Sequence, residues 1–171
     1  AFYAKLSATV GGRTVVSDNV AISRALPTAF AERLKRVGVQ YHKRLACKEA
    51  VAAAKAAGHA PAPYNTWQNA FQTDDRAKAL AAVDPTMDSL DWREEDGSLS
   101  WTSLRPAFHR SAHSEEEVMM NQLYTLHASM IDHSTDIYRD YAGLPHGDQP
   151  FHSRWGDGEE FRSVCAHCLH P

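Results

Sequence analysis

The chain is poor in cysteine, in net positive charge and in long apolar runs. Its 3 cysteines, one far from the other two, make no disulfide framework. That points to a reducing interior, the cytosol or the mitochondrial matrix. With 18 basic and 21 acidic residues the net charge is -3. A domain built to grip nucleic acid is normally basic, because phosphate neutralisation supplies the affinity. The most apolar stretch, 46–57, is broken by Lys48, Glu49 and Lys55, far short of the ~20 residues a membrane span needs. The pattern G-x-x-x-x-G-K-[ST] is missing, so the chain is not itself a P-loop ATPase. No signal or transit peptide is visible. The start at Ala1 is what a mature chain with its targeting segment removed would show, and equally a trimmed one.

What is present suits a soluble globular chain. A length of 171 residues, 43% hydrophobic and 23% charged, is about one domain with room for a real core. Residues 1–25 read as an arm or a short hairpin turning at Gly11-Gly12. From Pro27 the spacing turns helical, with Ala29, Phe30, Leu34 and Val37 on one face before Gly38. Residues 45–57 are alanine-rich and predict a helix that stops at Gly58, with Pro61 and Pro63 beyond. Residues 64–71 predict a short helix, and Asp74 and Asp75 can cap the next one, which ends at Asp84-Pro85. Residues 86–100 read as loop. The longest helix is expected over 114–142, where Ser114 and Glu117 form a capping box. There Met119, Leu123, Leu126, Met130, Ile137 and Tyr141 make one stripe, and Gly143 and Pro145 end it. The tail 144–171 shows no periodicity.

Internal repetition comes next. Tyr64-Asn65-Thr66-Trp67 through Ala70-Phe71 echoes Trp101-Thr102-Ser103-Leu104 through Ala107-Phe108, and Ala29-Phe30 stands upstream of both. One helical hairpin cannot bury its apolar face alone, so repeats at such spacing predict a stack. Pro106 fits a third first-helix poorly.

Glu49-Ala50, Gly58, Pro61, Tyr64-Asn65-Thr66, Ala70-Phe71 and Ala79-Leu80 resemble a pentatricopeptide repeat. The likeness is good over about 40 residues, with a short link after Gly58 and Trp67 in place of the usual Leu. It implies an all-α fold of two to three stacked helical hairpins over 26–143, with an N-terminal arm at 1–25 and an irregular tail at 144–171. It also implies single-stranded RNA as a ligand, read about one base per repeat with Thr66 as the specificity position. The acidic balance and the lack of a basic groove count against RNA; Arg33, Lys35, Arg36, His42, Lys43 and Arg44 read better as solvated helix faces.

A short, acidic chain of this kind is more similar to the pentatricopeptide-repeat accessory subunits of mitochondrial assemblies, such as the one on the catalytic head of the euglenozoan ATP synthase. That likeness implies a non-catalytic structural subunit on the matrix side of an inner-membrane complex, with the alpha subunit as its partner. An RNA-associated protein of a mitochondrial ribosome or processing complex is the alternative. A small zinc or redox protein is the third class.

Hidden chemistry is sparse. Cys165-Ala166-His167-Cys168 is the one metal-like cluster, and His152 with His146 or His170 would complete a tetrahedral zinc site. The second clear ligand pair of a zinc motif is missing. The expectation is therefore no catalytic residue, no cofactor and no metal, with Cys165, Cys168 and His152 as the zinc candidates. Cys47 reads as a small buried hydrophobe. His127 and His133, six apart, would lie on different faces of a helix, and His109 and His113 have no matched nucleophile. Asp91, Glu94, Glu95 and Asp96 lack a calcium-loop spacing and read as a solvated loop. Phe151, Arg154 and Trp155 are the expected partner contacts, since Trp and Arg anchor interfaces.

Overall fold

A computed structural model of the chain describes residues 9–10, 18–58, 66–112, 115–135 and 138–161. The expected N-terminal hairpin, the Tyr64-Asn65 start of the repeat motif and the zinc candidates Cys165 and Cys168 lie outside them.

The fold is mixed α/β, and the all-α expectation is overturned. The described elements are α1 (Asn19–Ala25), α2 (Thr28–Val37), β1 (Val39–Leu45), α3 (Lys48–Ala56), α4 (Trp67–Phe71), α5 (Arg76–Ala81), β2 (Asp88–Trp92), β3 (Leu99–Arg105), β4 (Phe108–Arg110), β5 (Glu117–Met119) and β6 (Phe151–Trp155). Strands β2-β3-β1-β6, in that order, form an antiparallel sheet, and β4 pairs with β5. A pentatricopeptide stack needs helix on helix. Here the described residues from 86 onward form strands, turns and short 3₁₀ turns.

The local helix signals held. Asp75 caps α5 by accepting from the Ala77 backbone N–H at 2.8 Å. Gly58 follows α3 with φ +80, in the left-handed region that suits glycine after a helix.

Three expectations failed. His42, Lys43 and Arg44, expected on a solvated helix face, lie in the inner strand β1 with the rest of 39–45 (VQYHKRL), and the alanine-rich helix starts only at Lys48. Residues 99–105 (LSWTSLR) form β3 and not a third repeat; large apolar and small polar residues alternate over 99–102, which suits the start of a half-buried strand. Residues 86–100 hold β2.

The long helix over 114–142 is replaced by β5 and two short 3₁₀ turns, Ala128–Met130 and Arg139–Tyr141. Short polar side chains compete there for the backbone. Asn121 accepts from the Leu123 N–H at 3.0 Å, and Asp132 accepts from the Ser134 N–H at 3.0 Å. Such bonds favour turns over a helix.

One sheet face carries two apolar clusters. Leu34, Val39, Ala107, Leu123 and Trp155 form one, with Phe30, Phe108 and Phe161 against it. Leu45, Trp67, Ala79 and Leu99 form the other, with Phe71, Leu90 and Trp92.

Close backbone approach closes the first cluster. The Gly156 N–H donates to the Gly38 carbonyl at 3.0 Å. A Cβ on Gly156 would lie 1.7 Å from the Val37 carbonyl oxygen. No helix among the described residues is long and apolar enough to cross a membrane.

Candidate functional site

Four titratable side chains, His127, His146, His152 and Glu160, meet at the end of β6. His152 sits on β6 itself, with its side chain only 3% exposed. His127 precedes the 3₁₀ turn Ala128–Met130 and caps it. His146 opens another 3₁₀ turn, His146–Asp148. Glu160 follows the tight reversal at the end of β6, where the Gly158 N–H donates to the Trp155 carbonyl at 2.8 Å.

Buried polar residues hold these segments in place. The Ser153 hydroxyl donates to the Leu123 carbonyl at 2.6 Å, tying the 120s segment to β6. The Gln149 amide donates to the Tyr141 and Leu144 carbonyls, both at 2.9 Å.

Glu160 is the hub. Its Oε2 lies 2.8 Å from His152 Nε2 and 3.1 Å from His146 Nδ1. The His146 and His152 rings stand 4.2 Å apart between centroids, and His127 and His152 4.7 Å. One donor atom each from His127, His152 and Glu160 lies within 4.8 Å of the other two.

The electrostatics follow from packing. Burial pushes His127 down to about 4, helped by the neighbouring His152 and His146. Burial also lowers His152, partly offset by its hydrogen bond to Glu160. For Glu160 burial acts against ionisation, but the two histidine contacts outweigh it and hold the carboxyl below its ordinary value. At neutral pH the Glu160 carboxylate therefore faces a neutral His152, with neutral His127 beside it.

The ring protons can be assigned from the backbone. The Ala128 N–H donates to His152 Nδ1 at 3.3 Å, and the Ser129 N–H donates to His127 Nδ1 at 3.2 Å. Each Nδ1 is therefore an acceptor, and the proton sits on Nε2 in both neutral rings. His152 then donates Nε2–H to Glu160.

Two of the histidines expected to complete a zinc site, His146 and His152, come together here. His127 and Glu160 were missed: His127 lies 19 and 25 residues before His146 and His152, Glu160 lies 14 and 8 residues after them, and none of these is a ligand-motif spacing. His133 stands apart, with Nε2 3.4 Å from Gln149 Oε1. His42 faces His152 across the β1–β6 pairing.

The partner-contact trio lies on β6. Trp155 is 7% exposed and packs edge-on against Phe30 at 5.1 Å, beside Phe161 at 4.8 Å and under the Arg33 guanidinium at 4.2 Å. It belongs to the chain's own core. Arg154 donates to Gln40 across the sheet and is half-buried, as is Phe151. Cys47 is half-buried at the start of α3, with Sγ 2.6 Å from Glu49 Oε2. The acidic side chains Asp91, Glu94, Glu95 and Asp96 are exposed.

No known protein family and no curated protein matches the chain.

Proposed function

We propose that the chain binds one divalent transition-metal ion through His127, His152 and Glu160, with His146 at the solvent side. The observation that carries this reading is the convergence of three donor atoms within 4.8 Å from three separate segments. Two imidazoles and a carboxylate suit zinc and its first-row neighbours. Three protein ligands leave a position open for water or a substrate oxygen, which is the pattern of catalytic rather than structural sites.

The site would have to adjust modestly to load. Zinc holds its donors at about 2.0–2.2 Å, so tetrahedral neighbours stand roughly 3.3 Å apart. The 2.8 Å hydrogen bond from His152 to Glu160 must open by about half an ångström as metal replaces the proton. Metal on Nε2 also moves the remaining proton to Nδ1, against the Ala128 and Ser129 N–H groups. Those two contacts are long, and each contributes on the order of 1 kcal/mol. Zinc coordination is worth on the order of 10 kcal/mol in closed four-ligand sites, so even a weaker three-ligand site outweighs them.

The tautomers favour a second reading, in which the cluster is a metal-free clasp tying three segments to β6. The accessory role expected from the repeat resemblance was drawn from a helical stack. No observation on the sheet favours it.

Zinc titration by calorimetry, with elemental analysis of the dialysed chain, separates the readings. Metal binding predicts about one zinc per chain, with Glu160→Gln and His152→Ala weakening affinity by about 10–100-fold. Cys165→Ser/Cys168→Ser should leave that site intact. Zinc that survives His152→Ala and vanishes with the two cysteines refutes the proposal, as does a chain that takes up none.

A further inference from the structure

The sheet face that carries the two apolar clusters has a gap between them. The gap is a cavity of about 260 Å³ lined by Tyr41, Lys43, Trp101, Arg105, Gln122 and Leu126, with Ser103 in its floor. Register explains the lining: Tyr41 pairs with Ser103 and Lys43 with Trp101, so all four point to one side.

The charges in this cavity are unequal. The Arg105 guanidinium is already neutralised, with Nη2 2.8 and 2.9 Å from the two Asp88 oxygens. Ser103 is spent on the same carboxylate. Lys43 is different. It is half-buried, its ammonium lies 5.4 Å from the centre of the Trp101 ring, and no carboxylate among the described residues pairs with it. A half-buried cation without a counter-ion is costly unless something supplies one.

Tyr41 adds a directed donor. Its oxygen accepts from the Gln122 N–H at 2.9 Å, which leaves the phenolic proton free. Burial raises the Tyr41 pKa and keeps that proton on. Trp101 and Leu126 supply apolar wall.

We propose that this cavity binds a small organic monocarboxylate, its carboxylate on Lys43 and the Tyr41 hydroxyl and its apolar body against Trp101 and Leu126. One cation without a carboxylate among the described residues calls for one negative charge. A phosphate dianion would leave a charge unmatched in a half-buried site. The cavity is built by β1, β3 and the 120s segment, so this inference stands apart from the metal site.

The test is a ¹H–¹⁵N NMR titration of the full chain with 4-phenylbutyrate and, separately, its neutral amide. The expected result is a saturable shift of the Trp101 indole N–H, with the acid binding at least about tenfold more tightly than the amide. Lys43→Met, which keeps most of the apolar stem, should bring that ratio close to one. Added salt should weaken the acid and leave the amide unchanged. The salt series needs no variant, so it decides the matter even where Lys43→Met fails to fold. No saturable shift at Trp101, equal binding of acid and amide by the natural chain, or a ratio untouched by Lys43→Met overturns the proposal.

Discussion

Replacing Asp88 with Asn should destabilise the sheet far more than its position on the edge strand β2 suggests. The Asp88 side chain is 3% exposed while that of Arg105 is 38% exposed. Asp88 accepts from Arg105 at 2.8 and 2.9 Å and from the Trp101 indole at 3.0 Å, and also from Ser103. Asn keeps the shape but turns one oxygen into a donor. At least one N–H then faces another N–H, and Arg105 loses its counter-ion. A buried hydrogen bond to a charged group is worth about 1.5–3 kcal/mol, while the exposed side of Arg105 can rehydrate and recover part of the ion-pair loss.

The expected cost is therefore about 2–3 kcal/mol, or roughly 5–10 °C in Tm for a chain of this size. Urea unfolding followed by tryptophan fluorescence at pH 7 measures it. The pH dependence checks the cause. Burial opposes ionisation of Asp88, but its donors prevail and hold the carboxyl below its ordinary value. A depressed folded-state pKa stabilises above the unfolded value of about 3.9, and the gain fades as the pH falls through the folded value. The gap between natural chain and variant should shrink below about pH 4. A cost under about 0.5 kcal/mol, within the ordinary range of surface substitutions, or a gap that stays constant from neutral pH into acid, refutes the reasoning.

Two further outcomes follow from the packing. Gly156→Ala puts a methyl 1.7 Å from the Val37 carbonyl oxygen and 2.8 Å from Leu104 Cδ1, so β6 must leave β1; a loss of at least about 3 kcal/mol is expected in the same urea assay, and a loss under about 1 kcal/mol contradicts the close approach. Acid should loosen the histidine cluster. His127 is pushed down to about 4 from 6.5 and His152 is lowered as well. The unfolded chain takes up protons first, so stability falls as the pH drops from about 6.5 to about 4 and then levels in this contribution. Histidine Cε1–H resonances followed by NMR should place the His127 midpoint well below that of a free histidine, and a midpoint near 6.5 argues against the burial.

Residues acting on near neighbours were legible in the sequence. Asp75 caps α5 because a carboxylate one residue ahead of a helix reaches its free N–H groups, wherever that helix then packs. Gly58 ends α3 because the left-handed backbone there is cheap for glycine. The alternation in Leu99-Ser100-Trp101-Thr102 was visible too, though it breaks at Ser103-Leu104. It was outweighed by a chance likeness of 101–108 to 64–71, and only pairing of β3 with both β1 and β2 decided it. The apolar stripe over 114–142 fitted a helix by count, yet Asn121 and Asp132 bind their own backbone and bend it into turns.

By itself the sequence determined the short capped helices, the lack of a membrane-long apolar run, and an inventory of histidine and acid without a motif. Tertiary structure decided the sheet and the two sites it makes. Glu160 reaches His146 and His152, and His127 joins them, only because β6 lies against β1 and the Ser153 hydroxyl draws the 120s segment onto it. Lys43 stands beside Trp101, with no carboxylate partner among the described residues, because register places the two on one face between the two apolar clusters. Caps and breakers act over three or four residues and can be read in order along the chain. A strand's partner is chosen by the burial of whole faces, which a local pattern does not contain.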